Sequence, residues 1–243
     1  IGSAGGMETQ LVKDAGLDYV GISSGKLRRY FSWKNFSDPF RVLKGYFQAK
    51  KIIKKFKPDV VFSKGGFVTV PVVFAAAKYK VPVIIHESDM TPGLANRLAI
   101  KKATKVCHNF PETAKYLGDK AVHTGSPIRA ELFKGNKIVA LDMCGFTGNK
   151  PVIMVTGGSL GAENVNKLVR AALPELLKDF QVAHLCGKGK VDNDLVGTKG
   201  YAQFEYISDE MKDFFAMADI IISRAGANSI CEISALNKPN ILI

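Results

Sequence analysis

Runs of apolar, β-branched residues alternate along the chain with segments in which apolar residues recur at helical spacing. The first series of runs lies at residues 19–22, 60–62, 81–85 and 105–107, with helical patterns at about residues 39–56 and 71–79. A second series lies at residues 152–156, 182–185, 204–206, 220–222 and 240–243, with helical patterns at about residues 164–179, 209–218 and 229–236. This alternation predicts an α/β fold in which crossover helices bury parallel strands on both faces.

The two series are separated by residues 134–150, which are poor in periodic apolar residues. Because this segment contains Gly135-Asn136, Gly145 and Gly148-Asn149, we expect a loop or a short insertion. We place the domain boundary just before it, with one domain at residues 1–127 and a second at residues 128–243. The chain opens on a strand-to-loop signal and stops inside an apolar run. We therefore expect the first domain to lack its first βα unit and the second its C-terminal part.

Composition is that of an ordinary globular protein, with 47% hydrophobic and 23% charged residues. No apolar run reaches the roughly 18 to 20 residues that a membrane-spanning helix needs, and the start lacks the order of a signal peptide. These features predict a cytoplasmic location. The cysteines show no C-x-x-C pair, so we expect small buried thiols rather than a zinc or redox site, at Cys107, Cys144, Cys186 and Cys231.

Most of the net charge of +12 lies in residues 26–57, where eleven basic residues face one acid, Asp38. Apolar residues recur at helical spacing beside the basic ones, at Phe36, Phe40, Leu43 and Tyr46 or Phe47 next to Arg41, Lys44, Lys50 and Lys51. This pattern is typical of a surface that seats apolar groups in a bilayer while cations meet anionic headgroups. Alternatively, the aromatic residues are core and the lysines a solvated face. A mixture of the two would turn Ile52, Ile53 and Phe56 inward.

Three glycine-rich turns follow predicted strands, at residues 63–67, 157–162 and 223–229. In open α/β sheets ligands bind at this position, because free backbone N–H groups and the positive end of a helix face an anion. One such turn can reflect tight packing alone, whereas three favour a nucleotide phosphate. The glycines that would approach it are Gly65, Gly66, Gly157, Gly158, Gly161 and Gly226. The absence of a Walker A ending after Gly157 disfavours ATP or GTP hydrolysis.

Ionisable side chains stand near these turns. His86-Glu87-Ser88-Asp89 follows the predicted strand at residues 81–85, and its carboxylates suit sugar hydroxyls, although a histidine there can also be purely structural. Glu232 lies on the helix after the third turn, where a carboxylate can accept both ribose hydroxyls of a nucleoside or can simply be solvated. No Asp-x-Asp motif indicates a metal site, and we expect no cofactor.

Taken together, these motifs resemble the MurG family of bacterial glycosyltransferases, glycosyltransferase family 28. The resemblance rests on their order and spacing, at residues 63–67, 86–89, 91–96, 125–129, 157–162 and 224–227 with Glu232, and it extends to residues 24–29. It implies a GT-B fold, in which two Rossmann-like domains with parallel sheets face a cleft. It also implies inverting transfer of N-acetylglucosamine from UDP-N-acetylglucosamine to a lipid-linked muramyl-pentapeptide during peptidoglycan synthesis, by a peripheral protein on the cytoplasmic face of the membrane.

Carried over by position, the resemblance also implies roles for single residues. The donor would be held by Glu232 at the ribose, the Ile207 backbone at the uracil, Ser159 at the diphosphate, Arg129 facing the nucleotide and Ala227 at the sugar. Asp89 and Asn96 would bind substrate from the first domain, and the membrane-facing positions would be Phe36, Phe40, Leu43, Lys44 and Tyr46. Negative charge develops on UDP as it leaves, and helix amino ends would stabilise that charge. The acceptor hydroxyl would need a general base.

The base itself stays unassigned, with His86 as a possible contributor. The family's first glycine-rich loop, with a histidine important for activity, would precede Ile1, and its donor-binding glutamines would follow Ile243. Asp89 and Ser126 stand where some members have asparagine. We therefore expect the chain as given to show little or no turnover.

Two rival functions remain open at this point. A basic segment with interleaved aromatic residues can bind nucleic acid, although the glycine turns would then be unexplained and we expect no nucleic-acid partner. A different GT-B transferase acting on a soluble acceptor would keep the turns but have no need of a membrane surface.

Overall fold

The chain folds into two compact units, Ile1–Ser126 and Pro127–Ile243. A computed structural model describes residues 1–6, 8–25, 34–158 and 161–243, with the main chain alone at residues 34–37. The division between the units lies one residue from the domain boundary predicted above. Among the helices described, none is both long enough and apolar enough to span a bilayer.

The first unit is built on parallel strands. Its elements are β1 (Gly2–Ser3), α1 (Glu8–Asp14), β2 (Gly21–Ile22), α2 (Lys34–Phe56), β3 (Val61–Ser63), α3 (Thr69–Lys78), β4 (Val83–Glu87), α4 (Leu94–Ile100), β5 (Lys105–His108) and β6 (Ala121–His123). A four-stranded parallel sheet has the order β3-β4-β5-β6, and β1 pairs in parallel with β2. Its core joins fully buried Ile85 and Val106 of the sheet to Val73 of α3 and Ala49 of α2.

The second unit contains one five-stranded parallel sheet, in the order β11-β10-β7-β8-β9. Its elements are α5 (Lys137–Cys144), β7 (Val152–Thr156), α6 (Glu163–Asp179), β8 (Gln181–Leu185), β9 (Tyr201–Phe204), α7 (Met211–Met217), β10 (Ile220–Ser223), α8 (Ala227–Ala235) and β11 (Asn240–Leu242). Successive residues of β7 face opposite cores. Met154 packs with Phe214 of α7, whereas Val155 packs with Val169 of α6. The sheet is therefore buried on both faces, and the predicted α/β class is confirmed.

The prediction of a loop or insertion at residues 134–150 is wrong, because α5 lies there. The Asn136 side chain accepts a hydrogen bond from the Ile138 N–H at 3.0 Å, and Gly145 ends the helix in the left-handed conformation. Both residues suggested a loop, yet asparagine is a favoured N-cap and glycine a favoured C-terminal residue. The helix shows no apolar period because Ala140 is its one buried residue, while Ile138 is exposed.

Other elements are shifted from their predicted positions. The strand expected at residues 204–206 is β9, which begins at Tyr201, so Glu205 and Tyr206 lie beyond the sheet. The first long helix begins at Lys34 rather than at residue 39. Phe56, which a mixed surface would have turned inward, is 78% exposed, whereas Ile53 is buried. Of the cysteines, Cys186 is buried as expected, while the other three are half-buried.

Candidate functional site

A cavity of about 220 Å³ opens at the carboxyl ends of β7 and β8 in the second unit. Thr156 and Gly158 line it from the end of β7, Ile207 from the segment after β9, and Ser229 and Glu232 from α8. Since these segments meet where the strands end, the cavity lies at the position that binds ligands in open α/β sheets.

A second depression of about 430 Å³ adjoins this cavity and shares Gly158 and Ser229 with it. Arg224 and Gly226 complete its lining, and Gly226 precedes α8 without a capping side chain. The first N–H groups of a helix have no partner within the helix and carry a partial positive charge. The depression therefore presents a helix amino end and an exposed guanidinium, an arrangement suited to phosphate.

Gly157, Gly158 and Gly161 differ in what surrounds their main chain. A Cβ on Gly157 would lie 2.3 Å from the Ala162 nitrogen, and one on Gly161 would lie 2.0 Å from the Cys186 carbonyl oxygen. These two glycines are therefore required by packing. Gly158 has a φ of +82° and faces open space. Of these three, Gly158 is thus the one whose main chain leaves room for a phosphate, while the other two serve tight packing.

Charged side chains meet at the mouth of the cavity. Arg129 Nη2 lies 3.4 Å from Glu232 Oε1, with the guanidinium more exposed than the carboxylate. Ion pairs this exposed contribute little to stability. The pair therefore leaves an acceptor and a cation beside the cavity, where both can change partner when a ligand enters.

Family models match both units. The N-terminal domain model of glycosyltransferase family 28 matches residues 1–108, and the C-terminal domain model matches residues 152–243. The chain belongs to glycosyltransferase family 28. The GT-B fold expected of that family is thereby confirmed.

Known proteins of family 28 are similar over the whole chain. A relative from Lachnospira eligens, named UDP-N-acetylglucosamine--N-acetylmuramyl-(pentapeptide) pyrophosphoryl-undecaprenol N-acetylglucosamine transferase, is 68% identical over 100% of this chain and 69% of its own length. The crystal structure of Acinetobacter baumannii MurG matches with a TM-score of 0.69 and 28% identity, over 99% of this chain and 68% of that one. A UDP-GlcNAc 2-epimerase from Neisseria meningitidis bound to UDP-GlcNAc shares the fold alone, with a TM-score of 0.62 and 16% identity over 97% of this chain and 71% of that one.

Several donor-site residues expected from the family 28 resemblance lie together in the second unit. Glu232, Arg129 and Ile207 line the cavity, and Ala227 is the first residue of α8, next to the depression. The Ile207 side chain is buried in the core, so its main chain is the part that can face a ligand. Ser159 lies outside the described residues.

The first unit carries the Gly65-Gly66 turn beside a cavity of about 380 Å³. Lys64 Nζ lies 3.0 Å from His86 Nδ1 and donates to Ser88 Oγ, while His86 Nε2 lies 3.0 Å from the Gly125 carbonyl. Because an ammonium only donates, Nδ1 accepts and the imidazole proton lies on Nε2. Burial lowers the pKa of His86, and the Lys64 charge acts in the same direction. Both ring nitrogens have partners, and this geometry favours the structural role for His86.

The sequence analysis considered the Glu87 carboxylate for sugar hydroxyls, but the structure gives it a different role inside the loop. Its buried carboxylate accepts hydrogen bonds from the Asp89 N–H at 2.9 Å, from Asn96 Nδ2 at 2.7 Å and from the Gly93 N–H at 3.3 Å. Glu87 thus holds the loop that carries exposed Asp89. A signal was present, since an acidic residue ends an otherwise apolar strand and needs buried donors.

Asn96 has a second polar atom that faces the glycine turn. Its Oδ1 is buried without a hydrogen-bond partner among the described residues, and a Cβ on Gly65 would lie 3.3 Å from it. Buried polar atoms are nearly always satisfied. An unsatisfied acceptor at the turn therefore suits a donor group of a ligand.

The expected membrane-facing residues lie on α2. Phe40 and Leu43 are exposed, at 73% and 53%, and Lys44 is exposed beside them. Tyr46 is half-buried and packs against the core. The Phe36 side chain lies outside the described residues. In the part of the chain that the structure describes, no group of three or more His, Cys, Asp or Glu side chains is placed to hold a metal ion.

Proposed function

We propose that the protein transfers N-acetylglucosamine from UDP-N-acetylglucosamine to the muramyl 4-hydroxyl of a polyprenyl-diphosphate-linked muramyl-pentapeptide, with inversion, in peptidoglycan synthesis. The observation that carries this proposal is identity of 58% to 68% over the whole chain with relatives that are named for this reaction. The cavity and the adjoining depression support it, because together they offer sites for a nucleoside and for its diphosphate.

In this proposal the second unit, Pro127–Ile243, holds the donor. Glu232 accepts the ribose hydroxyls and the Ile207 main chain binds the uracil edge. The diphosphate lies over Gly158 and the amino end of α8, with Ser159 in the same turn and Ala227 N–H toward the sugar. Arg129, now 3.4 Å from Glu232, exchanges that carboxylate for the donor's negative charge.

The chemical step follows from this placement. As the glycosidic bond to UDP breaks, negative charge grows on the diphosphate, where backbone N–H groups of α8 are already oriented toward it. The acceptor hydroxyl attacks the opposite face of the anomeric carbon and loses its proton to a base, which stays unassigned. The first unit, Ile1–Ser126, binds the acceptor, with Asp89 and Asn96 as the substrate-binding residues.

We further propose that α2 places the protein on the anionic cytoplasmic face of the membrane. Exposed Phe40 and Leu43 lie beside Arg41 and Lys44, and an apolar groove of about 520 Å³ lies between α2 and α3 next to Leu43. Burial of exposed apolar side chains in the interface and attraction of the cations to anionic lipid act together. A lipid-linked acceptor makes such contact useful, which disfavours a soluble acceptor.

A transfer assay with the full-length protein tests the main proposal. We expect labelled N-acetylglucosamine to move from UDP-N-acetylglucosamine to the lipid-linked acceptor, with far slower transfer from UDP-glucose. Glu232→Gln should lower kcat/KM by about tenfold or more, since a hydrogen bond to a charged group contributes about 1.5 to 3 kcal/mol. Glu175→Gln, at an exposed glutamate of α6, is the matched control and should leave transfer unchanged. Transfer to a soluble sugar instead would contradict the proposal.

Vesicle flotation tests the membrane surface. The double variant Phe40→Ser, Leu43→Ser should float less with vesicles containing phosphatidylglycerol, while UDP binding by the second unit is unchanged. Leu11→Ser, Leu17→Ser removes two equally exposed apolar side chains elsewhere in the first unit and is the control. Equal flotation of both double variants would refute the assignment. Competition by duplex DNA for the same surface, with steep salt dependence, would instead favour nucleic-acid binding.

A further inference from the structure

A chain of buried polar groups lies behind the turn at residues 157–161 of the second unit. Tyr201 Oη lies 2.9 Å from His184 Nδ1, and His184 Nε2 lies 3.0 Å from Asn166 Oδ1. Asn166 Nδ2 then donates to the Cys186 carbonyl at 2.9 Å. All four residues are buried, and the chain joins α6, β8 and β9. None of the roles proposed above uses these residues.

The hydrogen bonds of this chain all point the same way. Because a carbonyl only accepts, the Asn166 amide donates to Cys186 and its Oδ1 accepts from His184 Nε2–H. His184 Nδ1 is then left to accept from the Tyr201 hydroxyl. Burial lowers the pKa of His184 to about 4 and raises the pKa of Tyr201 to about 12. Both groups are therefore neutral at pH 7, and the direction of the chain is maintained.

The last member of the chain also contacts the turn. Gly161 packs so closely on the Cys186 carbonyl that a Cβ would lie 2.0 Å from its oxygen. The main-chain N–H of Asn166 also donates to the Ala162 carbonyl at 2.9 Å, as the first hydrogen bond of α6. The Gly161 N–H donates a hydrogen bond to the Gly158 carbonyl at 2.8 Å. The Asn166 side chain thus holds the Cys186 carbonyl against which Gly161 packs, although it does not line the nucleoside cavity.

We propose that Asn166 is a positioning residue for the donor diphosphate. By holding the Cys186 carbonyl, its side chain fixes the surface on which Gly161 packs, and the Gly161 N–H in turn holds the Gly158 carbonyl beside the depression next to α8. This inference rests on the proposed function, since it assumes that the depression receives the diphosphate. The proposal predicts that the two groups of contacts with the donor differ. The uridine contacts at Glu232 and Ile207 do not depend on Asn166, whereas the phosphate contacts do.

Because only the phosphate contacts should depend on Asn166, the measured quantity is the affinity for UDP compared with that for uridine. Titrations with UDP and with uridine are compared for the protein and for Asn166→Asp, which keeps the shape and the acceptor for His184 but places an oxygen against the Cys186 carbonyl. We expect the affinity for UDP to fall by about tenfold or more and that for uridine to change by less than about threefold, since only phosphate contacts are lost. Retained uridine binding also shows that the variant is folded.

Two further variants make the test specific. Gly161→Ala disturbs the turn directly and should show the same selective loss of UDP affinity. Tyr201→Phe removes the far end of the chain and should lower stability while leaving the ratio of UDP to uridine affinity unchanged. An equal loss of both affinities in Asn166→Asp, or an unchanged UDP affinity, would overturn the role of Asn166 while leaving the proposed function intact. Failure of the unaltered protein to bind either ligand would overturn both.

Discussion

The stability of the second unit should depend on pH through His184. Its imidazole is fully buried, and burial lowers the pKa of His184 from 6.5 to about 4. In the unfolded chain the imidazole takes up a proton as the pH falls below about 6.5, whereas in the folded protein it stays neutral down to about pH 4. Between these values the unfolded state binds more protons, so the free energy of unfolding decreases as the pH falls.

The size of the effect follows from the two pKa values. A difference of about 2.5 units, at about 1.4 kcal/mol per unit, corresponds to about 3 kcal/mol of stability that is present above pH 6.5 and lost by pH 4. Carboxylates also titrate in this range, so the contribution of His184 must be isolated. His184→Gln does this, because its amide can donate to Asn166 and accept from Tyr201 but does not titrate.

Hydrogen exchange of peptides from β8, measured in increasing urea at pH 7 and at pH 4, gives the local free energy of unfolding after correction for intrinsic exchange. We expect the unaltered protein to lose about 3 kcal/mol more than His184→Gln between the two pH values. An equal loss in both proteins would refute the reasoning, since it would mean that His184 is protonated in the folded state or is not buried as described.

Two further predictions concern residues that hold local structure. Asn136→Ala should destabilise the second unit by about 1 kcal/mol through loss of the α5 N-cap, measured by the same exchange experiment, whereas Asn149→Ala, in the exposed loop beyond α5, should have little effect. Glu87→Gln should destabilise the first unit by about 2 kcal/mol, because an amide cannot accept from all three donors of the loop. Hydrogen exchange of peptides from β4 in increasing urea measures it, and an unchanged local free energy of unfolding would contradict the role of Glu87.

Much of the fold follows from local pattern. The strands that became β4, β7 and β10 are continuous apolar runs, because each is covered on both faces, and such runs are visible in a sequence. The prediction missed the short elements β6 and α4, because too few of their residues are buried to show a period. The α5 helix was missed for the same reason, and also because its cap residues were taken for loop residues.

Part of the candidate site could be predicted from the sequence. The two glycine turns of the second unit and Glu232 follow a rule of sheet topology, so their meeting at one cavity and the adjoining depression could be expected, whereas the turn at residues 63–67 lies at a separate cavity. The hydrogen-bond partners of buried polar groups could not be predicted from the sequence. His184 meets Asn166, 18 residues away, and Lys64 meets His86, 22 residues away, and only packing of the elements brings these side chains together. The hydrogen-bond partners of Glu87 and Asn166 therefore became visible only in the folded structure.

The central claim is that the cavity of the second unit binds the nucleoside of a UDP-sugar through Glu232. Titration calorimetry of UDP and 2′-deoxy-UDP, against the unaltered protein and Glu232→Ala, tests it most directly. We predict that the unaltered protein binds UDP about tenfold or more tightly than 2′-deoxy-UDP, because the carboxylate accepts a hydrogen bond from the 2′-hydroxyl, and that Glu232→Ala binds the two ligands equally. The same preference for UDP in both proteins would contradict the account.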